Sequence, residues 1–123
     1  MKINKGVFFI SAVVIMMLFS CEKQEDKKVE YIATNAVSDF HLSYLMPSGE
    51  LKSETITAGS MQDKWNYSFV AQQGDIVYIS GKYKDINSGL KLIILIDGKV
   101  YKQAYTEGDT VNFVTVSGVV PIE

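Results

Sequence analysis

From Tyr31 to the C-terminus the chain is cut into short runs of alternating apolar and polar residues, with a turn signal about every ten positions. A side chain that changes face at every residue belongs to a strand with one buried side, so this rhythm predicts β-structure throughout. Phe40, Leu42, Tyr44 and Met46 alternate with His41, Ser43 and Leu45 before the turn Pro47-Ser48-Gly49. Leu51 to Thr57 follows, then Trp65, Tyr67 and Phe69 on one face with Asn66 and Ser68 on the other, broken by Gln73-Gly74-Asp75. Ile76 to Tyr83 is the next strand, closed by the polar loop Lys84 to Gly89. Leu90 to Ile96 is apolar apart from Lys91, as expected of a central strand covered on both faces. Asp97-Gly98 ahead of Lys99-Val100-Tyr101 is the strongest hairpin signal, because a type I′ turn needs positive φ at both central residues. Thr110 to Val116 supplies a last strand.

With a first strand around Tyr31, seven or eight strands are expected, arranged as a small Ig-like antiparallel β-sandwich. The chain has 123 residues, enough for one domain and too few for two. It has one cysteine, so no intramolecular disulfide can staple the fold and a packed core must hold it. Trp65, Tyr67, Phe69 and the run Leu90 to Ile96 are the core candidates. A core of that kind sustains a marginal stability, on the order of 5–10 kcal/mol.

The N-terminus has a different character. Lys2 and Lys5 precede an uncharged run from Val7 to Phe19, and the charged stretch EKQEDKK begins directly after Cys21. Thirteen helical residues rise about 20 Å, short of the roughly 30 Å hydrocarbon core of a membrane, which is the length of a signal-peptide h-region. Leu18-Phe19-Ser20-Cys21 resembles the bacterial lipobox, with Leu18 at −3, the small Ser20 at −1 and Cys21 at +1; the bulky Phe19 at −2 is a departure. The resemblance implies cleavage between Ser20 and Cys21, a diacylglyceryl group on the Cys21 thiol, and a membrane anchor of two or more acyl chains, which holds stably where one chain does not.

The domain plan that follows is a signal peptide at 1–20, the lipidated cysteine with a charged tether at 21–30, and the sandwich at 31–123. Loss of Lys2 and Lys5 with the signal peptide moves the net charge from −2 to −4. Lys23 to Asp26 also resembles the acidic signal that sends Bacteroidetes-type lipoproteins to the outer cell surface. The expected location is therefore the cell envelope, lipid-anchored, at the outer membrane with the domain outside the cytoplasm.

The order of the strand motifs resembles the MmpS-like family of small envelope β-sandwich proteins, accessories to lipid exporters. Five features carry it: Leu42-Ser43-Tyr44, the turn Gly49, the aromatic strand Trp65 to Phe69, Gly74-Asp75-Ile76-Val77-Tyr78, and Ile96-Asp97-Gly98-Lys99. The sequence departs from the family in having Lys64 before the tryptophan and no cysteine in the body of the fold. What the resemblance implies is an accessory role in an envelope complex.

Little else in the chain points to chemistry. All twelve basic residues are lysines, and with a pI near 5.4 the chain has neither the charge nor the planar guanidinium forks suited to nucleic acid. His41, the single histidine, stands opposite Phe40 and Leu42 in the alternation and is expected on a surface. Ser43 and Ser48 sit in no G-x-S-x-G elbow, and no P-loop, G-x-G-x-x-G or H-E-x-x-H occurs, so neither catalysis nor a cofactor is expected. Asp85-Ile86-Asn87-Ser88-Gly89 places oxygens at alternate positions like a calcium loop, yet lacks the distal glutamate and has the composition of a β-turn. Seven tyrosines are many for this length. Tyr83, Tyr101 and Tyr105 adjoin lysines on strands expected to be half-exposed, and are the candidate contacts to a ligand or partner. Two roles follow: a non-enzymatic module binding an envelope protein through an apolar patch or open sheet edge, or a glycan-binding module using a coplanar strip of exposed aromatics; a third, an enzyme, would need a cleft with converging polar side chains.

Overall fold

A computed structural model describes residues 25–108 and 112–122. The described residues are all β: β1 (Asp26–Thr34), β2 (Phe40–Leu45), β3 (Leu51–Ile56), β4 (Lys64–Gln72), β5 (Ile76–Tyr83), β6 (Gly89–Ile96), β7 (Lys99–Glu107) and β8 (Phe113–Val119). They form two four-stranded sheets, A in the order β4-β1-β6-β7 and B in the order β3-β2-β5-β8, with every neighbouring pair antiparallel. The expected sandwich is present, with the larger of the two strand counts.

Turn chemistry fixes the two hairpins within a sheet. Asp97 at φ 53° and Gly98 at φ 81° make the type I′ turn of β6–β7, and Gly49 at φ 90° closes the β2–β3 turn through Gly49 N–H to Met46 O at 2.9 Å. The remaining connections cross between sheets. The β4–β5 turn is also held from outside, since Gly74 N–H donates to Val120 O (3.0 Å) and Val120 N–H to Asp75 O (2.8 Å). One end of the sandwich, here the base, thus gathers the start of β1, the turns β2–β3, β4–β5 and β6–β7, and the C-terminal segment. The distal end holds the links β1–β2, β3–β4 and β5–β6, with the end of β7 and the start of β8.

The first strand begins at Asp26, where the sequence suggested a tether running to residue 30. Asp26-Lys27-Lys28 pair with Gln72-Ala71-Val70 of β4, so the ladder that makes this charged segment a strand is long-range. Lys27 is largely covered and reaches Glu25 (3.5 Å) and Asp97 (3.6 Å), while Lys28 N–H donates to the Asp97 carboxylate at 3.0 Å. The last strand is displaced three residues from its expected span, to Phe113–Val119.

Between the sheets lie Val29, Tyr31, Leu42, Tyr44, Val77, Ile79, Leu90, Leu92 and Ile94, all essentially without solvent contact. Trp65, Tyr67 and Phe69 are half-buried and pack against this core from edge strand β4. Tyr44 meets Trp65 at 4.9 Å and Tyr31 meets Phe69 at 5.0 Å between ring centroids, the tilted geometry that aromatic quadrupoles prefer. Strand β6 is central in its sheet, as its sequence suggests, but only its inner face is buried; Ile93 and Leu95 on the other face are half-exposed.

Candidate functional site

The candidate tyrosines are for the most part parts of the frame. Tyr83, expected half-exposed, is 3 % exposed: it shares the inward parity of Val77, Ile79 and Gly81, and its hydroxyl donates to Gly108 O at 2.9 Å. Tyr101 is the extra residue of a β-bulge between the Ile94–Lys102 and Leu95–Val100 pairs, which turns it inward. Its hydroxyl donates to Val119 O (2.9 Å) and accepts from Val119 N–H (3.3 Å), bolting β7 of one sheet to β8 of the other. Gly118 makes room for it, since a Cβ there would stand 2.6 Å from the Tyr101 oxygen. Tyr105 alone is open to solvent, on the outer face of sheet A, with its hydroxyl donating to Glu107, which holds the phenol above its ordinary pKa. The three point in three directions and form no strip.

The sequence reading missed Tyr31, which performs a similar task in the core. Its hydroxyl donates to Leu45 O (2.9 Å) and accepts from Tyr78 N–H (3.2 Å), at the point where the β2–β5 ladder ends after Tyr44–Ile79. Burial raises its pKa, and burial together with a hydrogen bond to Glu54 raises that of Tyr44. Parity with Val29 and Ala33 could have placed Tyr31 in the core; its polar partners belong to the other sheet and left no local signal.

The described residues form a cleft of about 990 Å3 at the distal end, and a shallower one of about 460 Å3 beside Lys91, Gln103 and Tyr105 on sheet A. Phe40, Ala58 and Tyr83 give the distal cleft an apolar floor, and His41, Thr55, Lys82, Lys84 and Asn112 bring polar atoms to its walls. These residues come from β2, the end of β3, β5 and the start of β8, so the sheet register assembles the site. Thr55, His41, Lys82 and Phe113 form one cross-strand row on the outer face of sheet B, and the His41 ring meets the Thr55 hydroxyl at 3.4 Å. That places His41 on the surface, as its alternation suggests. On the other wall, Ser38 carries a buried hydroxyl oxygen without a partner.

The loop that resembles a calcium site is a turn that supports this cleft. Asn87 N–H donates to the Asp85 carboxylate (2.9 Å) and Ser88 N–H to Asp85 O (3.0 Å), the geometry of an Asx turn. The buried Ser88 then accepts from Val37 N–H through its hydroxyl (3.1 Å) and from Gly108 N–H through its carbonyl (3.1 Å), joining three distal segments. An apolar floor with a few polar groups at the rim is the composition of a binding cleft, and what the arrangement offers is non-covalent recognition through the lysines, the imidazole and the hydroxyls. Ser20, Cys21 and the rest of the lipobox lie outside the described residues. Among the described residues no helix is long and apolar enough to cross a membrane.

The fold and cleft define a small two-sheet β-sandwich with a polar-rimmed cleft at one end. Neither the models of known protein families nor the curated proteins match this chain.

Proposed function

We propose that this chain is a non-enzymatic envelope lipoprotein, anchored through Cys21, whose sandwich binds a protein of an envelope complex in its distal cleft. The observation that carries the reading is position: the cleft lies at the end of the strands opposite Asp26, the end nearest the lipobox. A domain tethered there holds its cleft away from the lipid, where a neighbouring protein can reach it. The likeness to MmpS-like accessory proteins points the same way. The glycan alternative asks for a coplanar set of exposed rings; with Tyr83 in the core and Tyr101 bonded to Val119, Tyr105 is the one candidate left, and the exposed Phe113 stands on the opposite sheet.

Two measurements test the proposal. Detergent-phase partitioning and intact mass of the full-length product, against Cys21→Ala, test the anchor: wild type enters the detergent phase with a lipidated Cys21, and the variant does not. A photo-crosslinking residue in place of Thr55 or Lys84 tests the cleft. It captures one defined envelope protein from intact cells, the same residue in place of Gln103 on the far sheet captures none, and Lys82→Glu abolishes capture. Equal capture from both sides removes the cleft from the proposal.

A further inference from the structure

The start of β1 at Asp26 leaves only Glu22 to Glu25 between Cys21 and the folded domain. Five backbone steps reach at most about 17 Å, while the eight residues of β5 alone span roughly 26 Å. Under the anchor reading, on which this inference rests, the base of the sandwich is therefore confined to the membrane surface.

At that base the outer face of sheet B changes character. Further up it carries hydroxyls, with Ser53, Ser43, Ser80 and Thr115 in one continuous cross-strand row. At the base it is mostly apolar: Leu45 and Leu51 are cross-strand partners, Ile76 and Val119 are partners, and Tyr78 lies between the two pairs on the same face, with Ser117 as its partner and the one hydroxyl-only side chain there. Ile76 is 64 % exposed, Leu51 58 % and Val119 49 %. No carboxylate stands on the described residues of this face, in a chain with 14 acidic residues. The nearest in sequence stand in the adjoining turns: Asp75, which is bent back to accept Gln72 N–H at 2.9 Å, and the exposed Glu50 just ahead of Leu51.

We propose that this apolar corner, Leu45, Leu51, Ile76, Tyr78 and Val119, rests in the lipid interface of the membrane that holds Cys21, so that the domain is seated on the bilayer and not swinging from it. Lipid is the occupant the geometry favours. The tether brings the corner within reach of a bilayer wherever the protein is. Aliphatic side chains with a tyrosine suit the boundary between acyl chains and headgroups, and the strand positions of this face bring no carboxylate against the headgroups, Glu50 standing at the rim.

The test uses the full-length processed protein in vesicles of phosphatidylethanolamine and phosphatidylglycerol. Because Cys21 is consumed by lipid, a single introduced cysteine accepts one environment-sensitive fluorophore, at Ile76→Cys or Val119→Cys in the corner, or at Ile86→Cys in the exposed distal loop. The corner labels shift to the blue and are quenched at least threefold more by spin-labelled lipid than the label at 86, independently of protein density. Corner labels that behave like the label at 86, with Cys21 lipidated by mass, overturn the seating and leave the anchor standing. A blue shift without lipid quenching, lost when the protein is diluted in the bilayer, assigns the corner to a second protein and likewise overturns it. An unmodified Cys21 removes the anchor and the seating together.

Discussion

On the outer face of sheet A, Lys28, Glu30, Lys64, Lys91 and Glu107 stand among the apolar residues; on the outer face of sheet B, Lys82 and His41 are the only basic groups and carboxylates are missing from the described residues. The difference is also one of length. On sheet A, Ile32 points outward and is still only 6 % exposed, which requires longer neighbours such as Glu30, Asn66 and Lys91 to lie over it, and Asn66 donates to the Glu30 carboxylate at 3.0 Å. On sheet B the hydroxyls are short and pair with one another, Ser43 with Ser53 at 2.9 Å and Ser80 with Thr115 at 3.0 Å. They are too short to reach over their neighbours, and Leu51, Ile76 and Val119 stay open. Sheet A too leaves Val70, Val100 and Tyr105 more than half exposed, but among lysines and glutamates; on sheet B the open apolar residues share their face with no carboxylate, which suits it better to a second surface.

The contrast depends on the two sheets being held back to back, and the tyrosines do this. Tyr31→Phe removes the hydroxyl that serves Leu45 O and Tyr78 N–H across the core. Two backbone groups left without a partner cost about 2–3 kcal/mol, read as a fall of roughly 10 °C or more in Tm. The same residue shapes the alkaline limit. Its folded pKa is raised, chiefly by burial, so its contribution is fully present below about pH 10, where the unfolded phenol ionises, and is lost as pH rises toward the folded value. Urea midpoints measured from pH 8 to 11 therefore fall less steeply in Tyr31→Phe than in wild type.

Gly118→Ala tests the second bolt. The new methyl would lie 2.6 Å from the Tyr101 oxygen and 2.7 Å from its Cε2, so the ring must leave Val119. The expected loss is about 1–3 kcal/mol. Tyr101→Phe in the same chain adds little, because the bond it removes is already broken, and a double-mutant cycle reads that coupling directly. Additive losses would show that Tyr101 does not hold β8.

How far the fold was legible follows from which contacts are local. Strand β5 runs from Ile76 to Tyr83 as its alternation indicates, and Asp97-Gly98 makes the turn its two residues demand. Both signals lie within a few residues. The start of β1 was hidden because Asp26-Lys27-Lys28 is charged and becomes a strand only through Val70 to Gln72 and Asp97. Tyr83 could have been placed inside from its parity with Val77 and Ile79; Tyr101 could not, since the bulge after Leu95 shifts the parity of β7 and leaves no mark in the sequence. The cleft was out of reach for a related reason. Phe40, Thr55, Ala58, Tyr83 and Asn112 meet only once the register of sheet B and its loops is known.

The smallest expected change in stability gives the most direct test of the two faces. Ser80→Asp puts a carboxylate into the hydroxyl row of sheet B and removes the bond to Thr115, while Gln103→Asp adds one to the already charged face of sheet A. Loss of a cross-strand hydroxyl pair costs about 0.2–1 kcal/mol and an exposed polar exchange about 0.5 kcal/mol or less, so both variants melt close to wild type. Their binding behaviour separates. Ser80 shares a face with His41 and Lys82 of the cleft above it and with Tyr78 of the apolar corner below it, so a fixed negative charge there acts on both contacts. Ser80→Asp lowers crosslinking through the cleft and lipid quenching at the corner, and Gln103→Asp leaves both unchanged. Equal losses in the two variants would mean that added negative charge alone is responsible, and that the acid-free face of sheet B has no special part in what the protein touches.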